Sequence, residues 1–204
     1  GAFLLFLVSG MNFARFQATH IVAGKIWSVL RTFALNIILP YYAILLAYFA
    51  YKKTFDPASL LLASNFYGRF GSFLEPFWYI EALTQVTLLT CLLFSIPVVR
   101  KAAGAYPWAS ALVFAICTAI LKLLMPPVSA EQFVFASRLP QNLVVLFALG
   151  WLLHHSHTSR ERLAFTLLAL ITVSLCYNYA ASHLAWLALG VIAITWIQTV
   201  RLPA

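Results

Sequence analysis

A glutamate inside an otherwise uncharged apolar stretch is the first residue of this chain with chemistry to do. Glu81 lies in Phe77-Trp78-Tyr79-Ile80-Glu81-Ala82-Leu83 and is the only charge between Pro76 and Val99. A carboxyl group surrounded by apolar residues must pair with a cation, accept hydrogen bonds or carry a proton, because an isolated buried charge is costly. Two readings stand side by side. In one, Glu81 serves a reaction or binds a substrate. In the other, it sits near the membrane interface and reaches water beside an aromatic belt formed by Trp78 and Tyr79.

A second group of candidates runs from Ser9 to Arg31. Ser9-Gly10-Met11-Asn12-Phe13-Ala14-Arg15 closes an apolar run, and Arg31 opens the next one, with His20 and Lys25 between them. Ser-Gly at such a point lets a helix break or lets a neighbouring backbone come close. The planar guanidinium fork suits phosphate, with which it makes two charge-assisted hydrogen bonds. Arg15 and Arg31 are therefore candidate anion ligands, with His20 as a weaker contact, and Ser9 and Asn12 complete a candidate substrate-binding set. The competing reading is that the basic residues only fix topology. His154, His155 and His157 cluster at the end of an apolar run, but no cysteine or aspartate joins them and Glu161 is the one acid nearby, so an exposed loop is expected rather than a metal site. His183 reads as a hydrogen-bonded residue in a turn. Cys91, Cys117 and Cys176 lack metal-ligand spacing and fall inside apolar runs, as packing residues do.

The elements that must hold these residues are membrane helices. Charged residues make up only 9% of the 204 residues, hydrophobic residues make up 63%, and mean hydropathy is +0.92. A soluble domain carries about a quarter charged residues, so lipid is the solvent this chain expects. A crossing needs roughly 20 apolar residues. The gaps between charges give spans at Thr32–Tyr51, Pro76–Val99, Ala102–Leu121 and Leu139 to about His155, and the uncharged stretch between Arg162 and Arg201 is long enough for two more. Gly1–Ala14 reads as a partial span whose beginning is missing. The expected fold is all-α, a polytopic transmembrane helical bundle with six full spans plus a partial N-terminal one, in a single domain covering 1–204. Alternating the spans puts eight of the 13 basic residues, Arg15, Lys25, Arg31, Arg100, Lys101, Arg160, Arg162 and Arg201, on one side. By the positive-inside rule that side, with the Arg15–Arg31 loop, faces the cytoplasm. The net charge of +8 is spread one or two residues per loop, which excludes a contiguous nucleic-acid face and points to anionic headgroups or a negatively charged cytoplasmic ligand.

Three stretches resemble one family. Phe6-Leu7-Val8-Ser9-Gly10-Met11 is similar to the Phe-Phe-Leu-Ser-Gly-Phe signature on the second helix of the membrane acyltransferase-3 family. Arg31 with Leu39-Pro40-Tyr41-Tyr42 resembles the arginine and Leu-Pro-Tyr-Tyr-like run that follow there. Phe77-Trp78-Tyr79-Ile80-Glu81 through Leu92-Leu93-Phe94-Ser95-Ile96-Pro97 is similar to a later helix of the family. The matches come in order and cover roughly residues 1–100. The resemblance implies transfer of an acyl group, usually acetyl, from cytoplasmic acyl-CoA to a hydroxyl of a carbohydrate, lipid or small-molecule acceptor, with no metal. It implies that Arg15 and Arg31 hold the CoA phosphates, that Glu81 orients a general base or binds the acceptor hydroxyl, and that Trp78 and Tyr79 wall the acceptor entrance. The family's base is a histidine on its first helix. Here it is expected upstream of Gly1, since the chain begins where the second helix should. Two rivals remain: a transporter or flippase-like protein that uses Glu81 as a proton or substrate site and Pro40 as a helix break, and a non-catalytic scaffold subunit.

Overall fold

A computed structural model of the chain describes residues 2–53, 55–66, 78–125, 138–176 and 181–196. Every regular element among them is a helix. In order these are α1 (Ala2–Val22), α2 (Ile26–Phe33), a π-helical turn (Ala34–Ile38), α3 (Leu39–Lys52), α4 (Pro57–Leu60), a 3-10 turn (Ser64–Phe66), α5 (Trp78–Ser95), α6 (Pro97–Ala105), α7 (Pro107–Leu124), α8 (Pro140–His155), α9 (Ser159–Cys176) and α10 (Ala181–Trp196). Prolines stand at or next to the first residue of α3, α4, α6, α7 and α8. At the start of α4, α6, α7 and α8 the missing N–H deprives the helix of nothing and the fixed φ is already helical.

Among the described residues, three stretches are long and apolar enough to cross a membrane: Ile26–Lys52, Trp78–Ser95 and Pro107–Leu124. The first is continuous from α2 through the π turn into α3 and begins six residues earlier than the charge gap Thr32–Tyr51 suggests. Its 27 residues span about 40 Å at 1.5 Å each, more than the roughly 30 Å hydrocarbon layer. Arg31 can therefore lie within the helix and still reach the headgroups. The reason for the π turn is Pro40. It has no N–H to give the carbonyl four residues back, and its ring would press on that carbonyl. The turn before it widens instead, and the Leu39 N–H bonds to Ala34 O, five residues back. The expected span ending at Val99 stops at Ser95, where Pro97 starts α6. α1 continues to Val22, past the expected end at Ala14. His183 lies in the first turn of α10 rather than in a connecting turn.

The exposed surface has the character of a lipid-facing one. On α7 the buried positions are Ala111, Ala115, Thr118 and Ala119, while Val113, Ile120, Leu121 and Leu124 point outward. Small residues inside and large apolar ones outside is the arrangement of helices that pack by close approach rather than by escape from water. Five threonine hydroxyls within the helices are satisfied locally, whereas that of buried Thr87 on α5 has no hydrogen-bond partner among the described residues. Thr84, Thr90, Thr118, Thr166 and Thr195 each donate to the carbonyl four residues back.

The chain divides into two compact units. One comprises Gly1–Phe16, Tyr106–Pro126 and Val145–Ala204, and the other Gln17–Ala105 and Pro127–Val144. In the first, the expectation at Ser9-Gly10 resolves to close approach. α1 runs through without a break, and a Cβ on Gly10 would lie 1.9 Å from Phe147 O. Gly150 repeats the contact from the other helix, with its would-be Cβ 1.9 Å from Leu7 O. Two glycines thus bring the backbones of α1 and α8 together. Beside them Phe13 packs on Phe147 and Trp151, with ring centroids 5.3 and 5.7 Å apart.

In the second unit α3 turns Tyr41, Leu45 and Phe49 inward, a stripe at helical spacing, against Leu60, Leu62 and Ile80. At the other end of this unit α1 closes in a Schellman motif. Gly24, at φ +76°, donates to Ile21 O and Lys25 N donates to His20 O. The Arg100 guanidinium of α6 lies against Gly24, 3.3 Å from where a Cβ would stand.

Candidate functional site

The candidate site is built within the second unit by a short segment folded back between α3 and α5. Asp56 caps α4, its carboxylate accepting from Ala58 N at 3.1 Å and from Ser59 Oγ at 2.8 Å. Leu62 then takes a left-handed conformation, φ 55°, and turns the chain into the 3-10 turn. This leaves the backbone carbonyls of Ser59, Leu60 and Leu62 inside the unit, and side chains from the flanking helices satisfy them. Tyr41 Oη lies 3.0 Å from Ser59 O, Tyr42 donates to Leu60 O at 2.7 Å, and Gln85 Nε2 donates to Leu62 O at 2.6 Å.

Glu81 is the centre of this arrangement and is fully buried, 0% exposed. Its Oε1 is 2.9 Å from Tyr41 Oη. Its Oε2 accepts from Ser64 Oγ at 2.7 Å and from the Asn65 N–H at 3.2 Å. One turn further along α5, Gln85 and Asn65 exchange a pair of amide bonds, Asn65 Nδ2 to Gln85 Oε1 at 3.0 Å and Gln85 Nε2 to Asn65 Oδ1 at 2.9 Å. Asn65 Nδ2 also donates to Arg138 O at 3.2 Å. The Arg138 guanidinium stands 5.5 Å from the centre of the Trp78 ring, and Trp78 meets Tyr79 edge-on at 6.3 Å. The result is a buried polar network inside a helix of membrane-spanning length. Hydroxyls, amides and one carboxyl group meet there.

Of the residues singled out from sequence, Glu81, Trp78 and Tyr79 share the first turn of α5, and the two aromatics are half-buried. Arg31 is exposed on α2 in the same unit. Ser9, Asn12 and Arg15 lie on α1 in the other unit: Ser9 half-buried, Asn12 exposed, and Arg15 exposed with its guanidinium 5.2 Å from the Phe16 ring centre. His20 is exposed in the last turn of α1. Among the described residues no group of three or more His, Cys, Asp or Glu side chains is placed to hold a metal, the His154–His157 cluster included. His154 and His155 instead stack edge-on at 5.0 Å.

Sequence reasoning missed Ser59, Ser64, Asn65 and Gln85 and saw Tyr41 only as part of a run. Gln85 carried a readable signal, since it lies four residues from Glu81 on the same face. The others reach Glu81 or its partners only because the segment after α4 folds inward, and a short loop of common polar residues does not announce that.

No protein-family model matches this chain, and no characterised protein or solved structure shows significant similarity to it.

Proposed function

We propose that this chain is an integral membrane O-acyltransferase. On this reading it moves an acyl group, in the first instance acetyl, from cytoplasmic acyl-CoA to a hydroxyl of a carbohydrate, lipid or small-molecule acceptor. One observation carries the proposal: the 2.9 Å contact between Tyr41 and Glu81. These residues belong to Leu39-Pro40-Tyr41-Tyr42 and Trp78-Tyr79-Ile80-Glu81, two of the three stretches that resemble the membrane acyltransferase-3 family, and they close on one another around a buried carboxyl. A site furnished with hydroxyls, amides and flanking aromatic rings suits a polyhydroxylated acceptor, whose rings stack on Trp78 and Tyr79 while its hydroxyls exchange hydrogen bonds with the network. Glu81 then positions the acceptor hydroxyl. The candidates to receive the CoA end, where a guanidinium fork matches phosphate, are Arg15 with Ser9 and Asn12 in one unit and Arg31 in the other. No histidine stands among the partners of Glu81 in the described residues; the family resemblance gives the role of base to a histidine. In this reading α1, α8, α9 and α10 also cross the bilayer, which is the cell's plasma membrane, and the turn between Arg15 and Arg31 faces the cytoplasm.

The test is calorimetric titration of acetyl-CoA into the detergent-purified protein. Arg15→Ala and Arg31→Ala should each weaken binding about tenfold, the loss of about 1.4 kcal/mol, and Lys52→Ala should not. Equal losses in all three variants would remove the donor-site assignment, and absence of binding to a folded sample would remove the enzyme reading. A second reading, a transporter that uses Glu81 as a proton or substrate site, is favoured by the π turn ahead of Pro40. Such turns interrupt helices at functional positions. It predicts counter-flow of a polar solute in proteoliposomes with no acyl product.

A further inference from the structure

The hydrogen atoms around Glu81 do not balance if its carboxyl is ionised. Tyr41 has a single hydroxyl proton, yet its oxygen lies 2.9 Å from Glu81 Oε1 and 3.0 Å from Ser59 O, both acceptors. With an ionised carboxylate, this one proton is either shared between the two acceptors, which weakens both bonds, or leaves one short contact without a proton. A proton on Oε1 completes the count. Oε1–H then bonds to Tyr41 Oη, and Tyr41 donates to Ser59 O. Oε2 goes on accepting from Ser64 Oγ and Asn65 N.

The surroundings agree. The three groups that bond to the carboxyl among the described residues, Tyr41, Ser64 and Asn65, are all neutral. The side chain has no exposed surface. Among the described residues no cation bonds to it, and a full charge so held would cost more than its neutral hydrogen bonds return; such a group takes up a proton instead. Among the described residues, the elements packed against α5 also carry Arg31 on α2 and Arg100 and Lys101 on α6, and Tyr42, Asp56 and Arg138 stand in the site itself. Tyr42 bonds to Leu60 O, Asp56 is held by Ser59 and Ala58, and Arg138 lies over Trp78. None of them bonds to Glu81.

We propose that Glu81 is a resident neutral carboxylic acid at physiological pH, the head of a two-bond relay from its Oε1–H through the Tyr41 hydroxyl to the Ser59 carbonyl. It is a proton-holding site in the membrane-spanning part of the molecule, and it gives a hydrogen bond rather than accepting a proton from a substrate. The inference does not depend on acyl transfer and would stand in a transporter as well.

The experiment is infrared spectroscopy of the protein in lipid nanodiscs at neutral pH, with glutamate side-chain carboxyls labelled with heavy carbon. The expected result is a carboxylic-acid C=O stretch that shifts with the label and with D2O, disappears in Glu81→Gln, moves in Tyr41→Phe and is unchanged in Asp56→Asn. Wild-type protein with carboxylate bands alone overturns the proposal, whether or not any variant folds. So does an acid band that survives Glu81→Gln. Linkage supplies an independent readout. Folding must take up a proton at Glu81, so the folding equilibrium of wild type relative to Glu81→Gln should fall tenfold per pH unit above the unfolded glutamate value of about 4.3. A ratio that is flat up to neutral pH contradicts the proposal.

Discussion

Tyr41 links the two polar features of the second unit, the carboxyl of α5 and the carbonyl of Ser59. Tyr41→Phe removes one oxygen from between two buried partners, and leaving such groups unsatisfied costs about 1–3 kcal/mol. Tyr42→Phe frees only the part-buried Leu60 carbonyl and should cost about 1 kcal/mol or less. Thermal unfolding in mild detergent checks the order, and equal losses would mean that Tyr41 has no special place in the network. Glu81→Gln keeps a donor and an acceptor in the same shape, so it should unfold like wild type near about pH 4 and be the more stable of the two at neutral pH, while lowering acyl transfer. A fully active Glu81→Gln would return Glu81 to a structural role. At this scale the sequence was only partly legible. A lone acid in an apolar run is visible because its cost is high wherever the run folds. Its partners Ser64 and Asn65 are ordinary loop residues whose importance comes from the inward turn at Leu62.

The helices themselves were easier to read than their ends. Apolar length and flanking charge locate α3, α5 and α7, but prolines and glycines decide where each begins and what it touches. Gly10 and Gly150 let two backbones meet, whereas Gly190 faces only the tip of Leu4, 2.7 Å from a would-be Cβ. A leucine methyl can rotate away and a backbone carbonyl cannot. Gly10→Ala and Gly150→Ala should therefore each destabilise the protein by about 1–3 kcal/mol or more, and Gly190→Ala by less. A Gly190→Ala loss as large as the others would contradict the close crossing of α1 and α8. At the start of α9, Thr158 and Glu161 form a reciprocal cap. Glu161 Oε2 accepts from Thr158 N at 2.8 Å and from His157 N at 2.9 Å, and Thr158 Oγ1 accepts from Glu161 N at 3.2 Å. The Thr158 backbone N–H holds the Glu161 carboxyl below the usual carboxylate range. Its contribution is present above the unfolded value of about 4.3 and is lost as pH falls through the lower folded value. Hydrogen exchange at the His157 and Thr158 amides should accelerate in Glu161→Gln at neutral pH and approach wild type under acid conditions.

For the whole molecule, composition identified lipid as the solvent, and the outward-facing leucines and isoleucines of α3, α5 and α7 agree. Charge counting expects Lys25, Arg100 and Lys101 on one side of the membrane and Lys53 on the other, and labelling tests that expectation. Single cysteines at Lys25 and Lys101, in a background without Cys91, Cys117 and Cys176, should react with an impermeant reagent from one face of sealed vesicles. A cysteine at Lys53, beyond the span Ile26–Lys52, should react from the other face. Labelling of positions 25 and 53 from the same face would mean that this helix does not cross. What the sequence could not show was the division into two compact units, because it depends on which distant segments pack together. The π turn at Ala34–Ile38 has a last consequence for this span. A bond reaching five residues back where four is usual means that one turn holds one residue more than an α-helix needs. Deleting a single residue there would keep the faces carrying Arg31 and Tyr41 in nearly the same relative orientation but press the Pro40 ring on the carbonyl four residues back. The molecule therefore carries, in the span that supplies Tyr41, one residue that serves as clearance for a proline.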